Sequence, residues 1–273
     1  MNTVVRTIQL IEIDALKEFQ KICDENSIHF FLRGGSVLGA VKYKGFIPWD
    51  DDMDVAVPRE DYEKLIQLFQ NKPIAGKYYI NSYRYCKELH CYFPRMVLSE
   101  DERIKNGLPK NTNLGLHLMD IFPIDGAPNS LLGRLSFYLK IYILRTLASL
   151  GTVYTGEMVN MHTRKQQFVI DVIRCLNINR LINQKKVYMK LEKLYTKYDW
   201  KTQKYAGTPT ASLFTREIMP QEYWGKGVLM DFDELKVMVP EKYDSYLKRM
   251  YGKNYLYEEP EEKDRKSHLK GNK

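Results

Sequence analysis

Along the first 25 residues, apolar positions recur at Ile8, Ile11, Ala15, Phe19 and Ile22, the spacing of one helical face, until Asp24, Glu25 and Asn26 break the pattern. It predicts an amphipathic helix of about five turns. Ile28, Phe30 and Leu32 then alternate with His29, Phe31 and Arg33, the period of a strand, and the run ends in the turn Gly34-Gly35-Ser36. A short helix is predicted from Val37 to about Lys44, with Gly45 as the residue that stops it. A second alternation sets Met53, Val55 and Val57 against Asp52, Asp54 and Ala56, and so predicts a strand that shows two carboxylates on one face. Pro58 opens a further helix with Glu60 and Asp61 in its first turn and Tyr62, Leu65, Ile66 and Phe69 as its buried stripe.

Residues 89–98 and 114–125 read as two more strands, and Asp120 in the second sits among Leu118, Met119, Ile121 and Phe122, an apolar setting for a carboxylate. From 129 to about 200 the pattern is helical and basic, with Arg134, Lys140, Arg145, Arg164, Lys165, Arg174, Arg180, Lys185 and Lys186. A hairpin over 231–240, a helix over 241–252 stopped by Gly252, and a charged tail follow. The expected class is α/β (α+β), a mixed sheet flanked by helices with a helical insertion. The expected organisation is a core of residues 1–128, a helical subdomain 129–200, a hairpin and helix at 201–257 that complete the core, and a mobile tail 258–273.

Composition changes this picture in two ways. Lys and Arg number 42 against 34 Asp and Glu, so the 273-residue chain carries +8 and favours anionic partners: phosphate esters, nucleic acid or anionic lipid. The four cysteines, Cys23, Cys86, Cys91 and Cys175, have neither disulfide-framework nor zinc-ligand spacing, which points to a reducing, cytoplasmic setting. The N-terminus lacks the pattern of an export signal, because Glu12, Asp14 and Glu18 interrupt its apolar residues. Arg134, Lys140 and Arg145 interrupt 131–153 too often for a membrane span. Two readings of that stretch stay open, a helix resting on anionic lipid at the inner face of a membrane and a core helix of the subdomain.

Chemistry concentrates in Gly34-Gly35-Ser36, in Asp52 and Asp54 sixteen and eighteen positions after Ser36, and in Asp120. Carboxylates two apart on a strand suit a hard divalent cation such as Mg²⁺ or Mn²⁺, and a third from a neighbouring strand completes the set. A glycine turn facing them can offer N–H groups and a hydroxyl to phosphate oxygens. The pattern points to metal-assisted phosphoryl transfer, against the plainer readings of a solvated acidic turn or a calcium loop.

The segments GlyGlySer at 34–36, LeuGlyAlaValLys at 38–42, GlyPheIleProTrpAspAspAspMetAspVal at 45–55, ArgGluAspTyr at 59–62 and MetAspIlePheProIleAsp at 119–125 resemble the LicD family, to which fukutin-type ribitol-phosphate transferases are related. Weaker likeness extends through ArgGluIleMetPro at 216–220 and TyrAspSerTyrLeu at 243–247. The resemblance implies a nucleotidyltransferase-like fold and transfer of phosphocholine from CDP-choline, or of a polyol phosphate such as ribitol or glycerol phosphate from its CDP donor, to a glycan hydroxyl. It also implies Asp52, Asp54 and Asp120 as metal-binding catalytic carboxylates, and an acceptor such as a lipid-linked teichoic acid precursor.

Arg33, Lys44, Trp49 and Arg95, with Gly34, Gly35 and Ser36, are candidates to meet the donor, and Asp50 and Arg59 candidates to support the carboxylates; each basic residue reads equally as a surface charge or a carboxylate partner, and Trp49 equally as a core or lid residue. Trp49 can stack on cytosine or cage a quaternary ammonium. His90, Cys91 and His117 have no metal-ligand spacing and read as structural. A nucleotidyltransferase that uses an NTP would employ the same carboxylates and release pyrophosphate. A GT-A glycosyltransferase is disfavoured, because only 51 residues precede Asp52. Nucleic-acid binding rests on net charge alone and is not expected.

Overall fold

The computed structural model describes residues 3–89, 91–112, 114–152 and 182–261. His90, Cys175, the basic positions Arg164, Lys165, Arg174 and Arg180, and the tail beyond 261 lie outside the described residues. The chain runs α1 (Thr3–Glu25), β1 (Phe31–Leu32), α2 (Gly34–Tyr43), β2 (Met53–Pro58), α3 (Arg59–Phe69), β3 (Tyr78–Asn81), β4 (Arg95–Leu98), α4 (Glu100–Lys105), β5 (Leu116–Ala127) and α5 (Leu131–Thr152). After the gap come α6 (Gln184–Tyr195), β6 (Tyr205–Gly207), β7 (Ile218–Pro220), a 3₁₀ turn (Gln221–Tyr223), β8 (Val228–Phe232), β9 (Leu235–Val239) and α7 (Tyr243–Tyr251).

The principal sheet is mixed, as the pattern predicts. Its order is β1-β2-β5-β4-β3, with β6 added to β5 and β7 to β6. β2 and β5 are parallel, and every other pairing in it is antiparallel. The parallel pair requires a crossover, supplied by α3, β3, β4 and α4. β5 is buried along its whole length, which explains its nearly unbroken apolar sequence.

α1 lays Ile8, Leu16 and Phe19 on the sheet, each fully buried. Its Gln9 amide donates to the carbonyls of Ile47 (3.3 Å) and Asp50 (2.9 Å), which pins the acidic loop to the helix. Gln20 reaches the Lys236 carbonyl in the β8–β9 hairpin at 2.8 Å. Trp224 is buried between Phe31 and Tyr246, in edge contact with both rings, and joins the C-terminal elements to the first strand. A second apolar cluster, with Phe137 and Ile141 of α5 and Leu191 and Tyr195 of α6, packs with Tyr83, Tyr92 and Ala127 at the end of β5.

Several boundaries differ from the pattern. α2 starts at Gly34, so the glycine turn is the first turn of the helix itself. Lys44, not Gly45, takes the left-handed cap at φ 55°. Gly45 serves close approach instead, since a Cβ there would lie 2.6 Å from an Asp233 carboxylate oxygen. The strand expected over 89–98 shortens to Arg95–Leu98, because Tyr92 turns away into the second cluster. β3, β6 and β7 were not predicted. In the C-terminal segment, Glu258 and Glu259 are tied to Lys42 and Tyr43 of α2, so the charged tail is anchored at its start.

Candidate active site

The parallel register of β2 and β5 pairs Asp54 with Asp120, and the antiparallel register of β4 pairs Arg95 with the same Asp120. On the other flank Leu32 pairs with Val55, and the Arg33 amide donates to the Asp54 carbonyl at 2.9 Å. Three strands and the residue just past β1 thus set Arg95, Asp120, Asp54 and Arg33 in one row, cation, anion, anion, cation, from positions scattered along the sequence.

Each anion of the row has its own cation. Arg33 Nη1 donates to Asp54 Oδ2 at 2.7 Å, and Arg95 Nε to Asp120 Oδ1 at 3.1 Å. Arg33 is buried, lies 4.1 Å over the Phe122 ring, and donates through Nη2 to the fully buried Glu217 and through Nε to Thr208 Oγ1 at 3.0 Å. The Thr208 hydroxyl in turn donates to Glu217 Oε2 at 2.9 Å. Burial alone would lower the Arg33 guanidinium, but Glu217 and then Asp54 outweigh it and raise it. Asp54 still exposes 23 % of its side chain. Its carboxyl is nonetheless raised well above the usual range, first by burial and then, against the pull of Arg33, by Asp52, Asp120 and Glu217.

Asp50 and Asp52 precede the strand, yet they belong to the same cluster. Asp50 hydrogen-bonds Asp52 through its side chain and is raised by burial and then by the Asp52 charge. The glycine turn makes room for these groups. Gly34, at φ 56°, would bring a Cβ to 3.1 Å from Asp54 Oδ2, and a Cβ on Gly35 would come to 3.1 Å from Asp50 Oδ2. The N–H groups of that turn have protein partners at two positions: Gly34 N donates to the Tyr246 hydroxyl at 2.8 Å and Ser36 N to the Arg33 carbonyl at 3.0 Å. Ser36 Oγ accepts from the Asp54 amide at 3.0 Å, so the buried hydroxyl clamps α2 to β2.

His117 reads from sequence as structural, yet Met96 pairs with Met119 and Val97 with His117, which leaves Leu118 as a bulge in β5. The bulge resets the alternation and brings His117 Nε2 to 2.8 Å from Asp120 Oδ1, off the line of a well-directed hydrogen bond. No pattern of residue types announced this contact. Glu217 and Thr208 were missed for another reason: both lie more than 170 residues beyond Arg33 in the chain. Glu12 of α1 is a further buried acid. Among the described residues neither of its oxygens finds a hydrogen-bond partner, and burial followed by Asp52, Asp50 and Asp51 raises it well above the usual range.

The structure does not bring every candidate together. Lys44 is exposed at the far end of α2, beside the β8–β9 hairpin, where its carbonyl accepts from the Asp233 amide at 2.7 Å. Arg59 binds Asp125 through two bonds, of 2.7 and 2.5 Å, and also Glu63 and Glu192, so it holds β5, α3 and α6 together. Trp49 is half-buried next to the acidic loop, edge-on to Tyr43 at 6.3 Å.

Hard carboxylate oxygens crowded enough to raise one another suit a divalent cation. Among the described residues no three acidic, His or Cys side chains converge on a single point. Mg²⁺ is satisfied by one or two protein carboxylates together with substrate phosphates and water, so the donor set fits that ion in its usual mode.

Residues 27–108 match the family described as LicD/FKTN/FKRP, nucleotidyltransferase domain, a span that includes Arg33, the glycine turn, Asp52 and Asp54 and ends before Asp120. Over 267 residues the chain is 25 % identical to the lipopolysaccharide cholinephosphotransferase LicD of Haemophilus influenzae, covering 97 % of this chain and 96 % of that protein. An uncharacterised protein of Rickettsia prowazekii is 32 % identical over 75 residues, 27 % of this chain and 28 % of that protein.

Proposed function

Since the chain belongs to the LicD family, we propose that it transfers phosphocholine from CDP-choline to a sugar hydroxyl of a lipid-linked cell-surface glycan precursor of the teichoic acid kind, releasing CMP. The observation that carries the reading is the row of Arg95, Asp120, Asp54 and Arg33, which gathers two acids and two cations on three adjacent strands and just past the end of a fourth. Phosphoryl transfer asks a protein chiefly to position reactants and to balance charge, and the row offers groups for both.

In this reading the acceptor oxygen attacks the choline-bearing phosphorus in line, the bond to the CMP oxygen breaks, and the hydroxyl proton passes to Asp120. Arg95, which donates to Asp120 Oδ1 at 3.1 Å, orients that carboxylate, and His117 Nε2 lies 2.8 Å from the same oxygen. Asp52 and Asp54 are the residues that would hold Mg²⁺, whose chemistry there is to neutralise charge on the diphosphate and the departing CMP. Arg33 keeps Asp54 oriented and supplies fixed positive charge beside the donor phosphates.

The test is thermal unfolding with Mg²⁺ and each of CDP-choline, CDP-ribitol, CDP-glycerol and CTP, followed by product analysis. A ligand at a hundred times its dissociation constant adds about 2.7 kcal/mol of stability. A metal-dependent shift with CDP-choline, absent in Asp52→Ala, together with CMP as product, is the expected result. A shift with another CDP compound changes the transferred group, and a shift with CTP alone together with pyrophosphate as product replaces the reading by nucleotidyl transfer.

A further inference from the structure

Helix α5 is amphipathic in the unusual sense, with its apolar stripe outward. Phe137, Ile141 and Ala148 face the second core cluster and are buried, yet Leu131, Leu132, Leu135, Leu139, Tyr142 and Ile143 are 49–79 % exposed. At 100° per residue these six fall within an arc of about 120°, one continuous stripe along a helix of about 33 Å. The 22 residues of α5 include no Asp or Glu. An exposed apolar strip of this kind marks an interaction surface.

What flanks it identifies the partner. Lys140 stands at the edge of the stripe, and across a groove of about 750 Å³ lined also by Ile143, Leu144 and Leu194, α6 and the residues after it present Lys190, Lys193 and Lys197. Met189 adds an exposed apolar side chain to α6. The one acid of α6, Glu192, is turned inward to Arg59, Arg84, Tyr83 and Tyr92, so it does not offset the lysines. An apolar stripe rimmed by lysines matches the boundary between anionic headgroups and acyl chains. A second copy would set the same lysines against each other. Residues 153–181 carry four Arg and Lys against two acids, the wrong sign to fill a lysine groove. Among the described residues no helix is long and apolar enough to cross a membrane.

We propose that the outer face of α5, with the lysines of α6, seats the protein on the surface of an anionic bilayer. This goes beyond the transferase reading and stands independently of it, because the surface is read by binding and not by turnover.

The experiment is co-sedimentation of the full chain with vesicles of phosphatidylcholine alone and of phosphatidylcholine with phosphatidylglycerol, at low and high salt. Binding only to the anionic vesicles, weakened by salt, is expected. Leu135→Glu with Leu139→Glu should abolish it, and Lys190→Ala and Lys193→Ala should each weaken it about fivefold, the equivalent of about 1 kcal/mol per lysine. All four positions are exposed, so circular dichroism melts should match wild type. No binding to anionic vesicles at low salt overturns the proposal, as does binding that survives both Leu→Glu changes. Self-association by sedimentation velocity that Leu139→Glu dissolves, without vesicle binding, assigns the face to a second copy and also overturns it.

Discussion

Replacing Glu217 by Gln tests the buried end of the charge row. Glu217 is fully buried, and both its oxygens are used, one by Arg33 Nη2 and the other by the Thr208 hydroxyl. Gln keeps the shape but not the charge. One orientation points its NH₂ at the Arg33 guanidinium, donor against donor, and the other points it at Thr208, leaving the threonine proton without its acceptor. Arg33 keeps only Asp54 as a charged partner, in a place that water hardly reaches. Removing one member of a buried ion pair costs about 3–5 kcal/mol. At roughly 2–4 °C per kcal/mol for a chain of this size, the midpoint should fall by about 6–20 °C. Thr208→Val removes a hydrogen-bond relay without removing a charge and should cost less, about 1–3 kcal/mol. The assay is thermal melting of Glu217→Gln, Arg33→Met and the double variant as a cycle, in which the double should lose less than the sum of the singles. A fall of under a degree in Glu217→Gln, or simple additivity in the cycle, would refute the view that Glu217 is the counter-ion of Arg33.

Three further outcomes are expected. Asp52→Ala and Asp54→Ala should abolish nearly all phosphocholine transfer while the protein stays folded by circular dichroism; a double variant that keeps more than a few per cent of turnover would remove them from the chemistry. Glu12→Met should stabilise the metal-free protein, measured in EDTA, by an amount that grows with pH. The raised Glu12 carboxyl contributes stability fully present below the ordinary value of about 4.3 and lost as pH rises through its folded value, and Met has none to lose. A gain equal at pH 4 and pH 8 would contradict this. Glu63 behaves in the opposite sense: burial works to raise it, but hydrogen bonds from Arg84 and the charges of Arg84 and Arg59 outweigh burial and lower it. Its contribution is present above about pH 4.3 and lost as pH falls through the lowered value, so Glu63→Gln should flatten the acid limb of the stability curve and leave its alkaline side unchanged in slope.

Local periodicity carried most of the first 70 residues. α1 and α3 fall close to where their apolar spacing places them, because each buries a single face and the pattern records that face; β2 also falls close to its expected place, though it is buried on both faces. β3, β6 and β7 are four or three residues long, too short to establish a period. The candidate site divides in the same way. Asp54 stands out because strand alternation is a local rule, whereas Asp52, expected on the same strand face, lies just ahead of β2. The pairing of Asp54 with Asp120 depends on register, the approach of His117 on a bulge, and the hold of Glu217 on Arg33 on a contact made late in the chain. Residue type alone left the place of Arg59 and Lys44 open between donor contact, surface charge and carboxylate partner. A basic residue near an acidic run is as readily a strut, like Arg59 on Asp125, or an exposed helix end, like Lys44.

The parallel alignment of β2 with β5 makes the two halves of the row interdependent during synthesis and assembly. Asp54 and Asp120 become neighbours only when the whole crossover between them has closed and six residue pairs have matched, from Met53 with Met119 to Pro58 with Ile124. A slip of one position would turn Asp120 to the other side of the sheet and leave Asp54 facing an apolar side chain. A partly folded form in which β2 and β5 have not yet paired therefore does not hold the two acids side by side. By the same geometry, the loops of the crossover can lengthen or shorten without disturbing the two acids, whereas one residue added inside β5 ahead of Asp120 would disassemble the row.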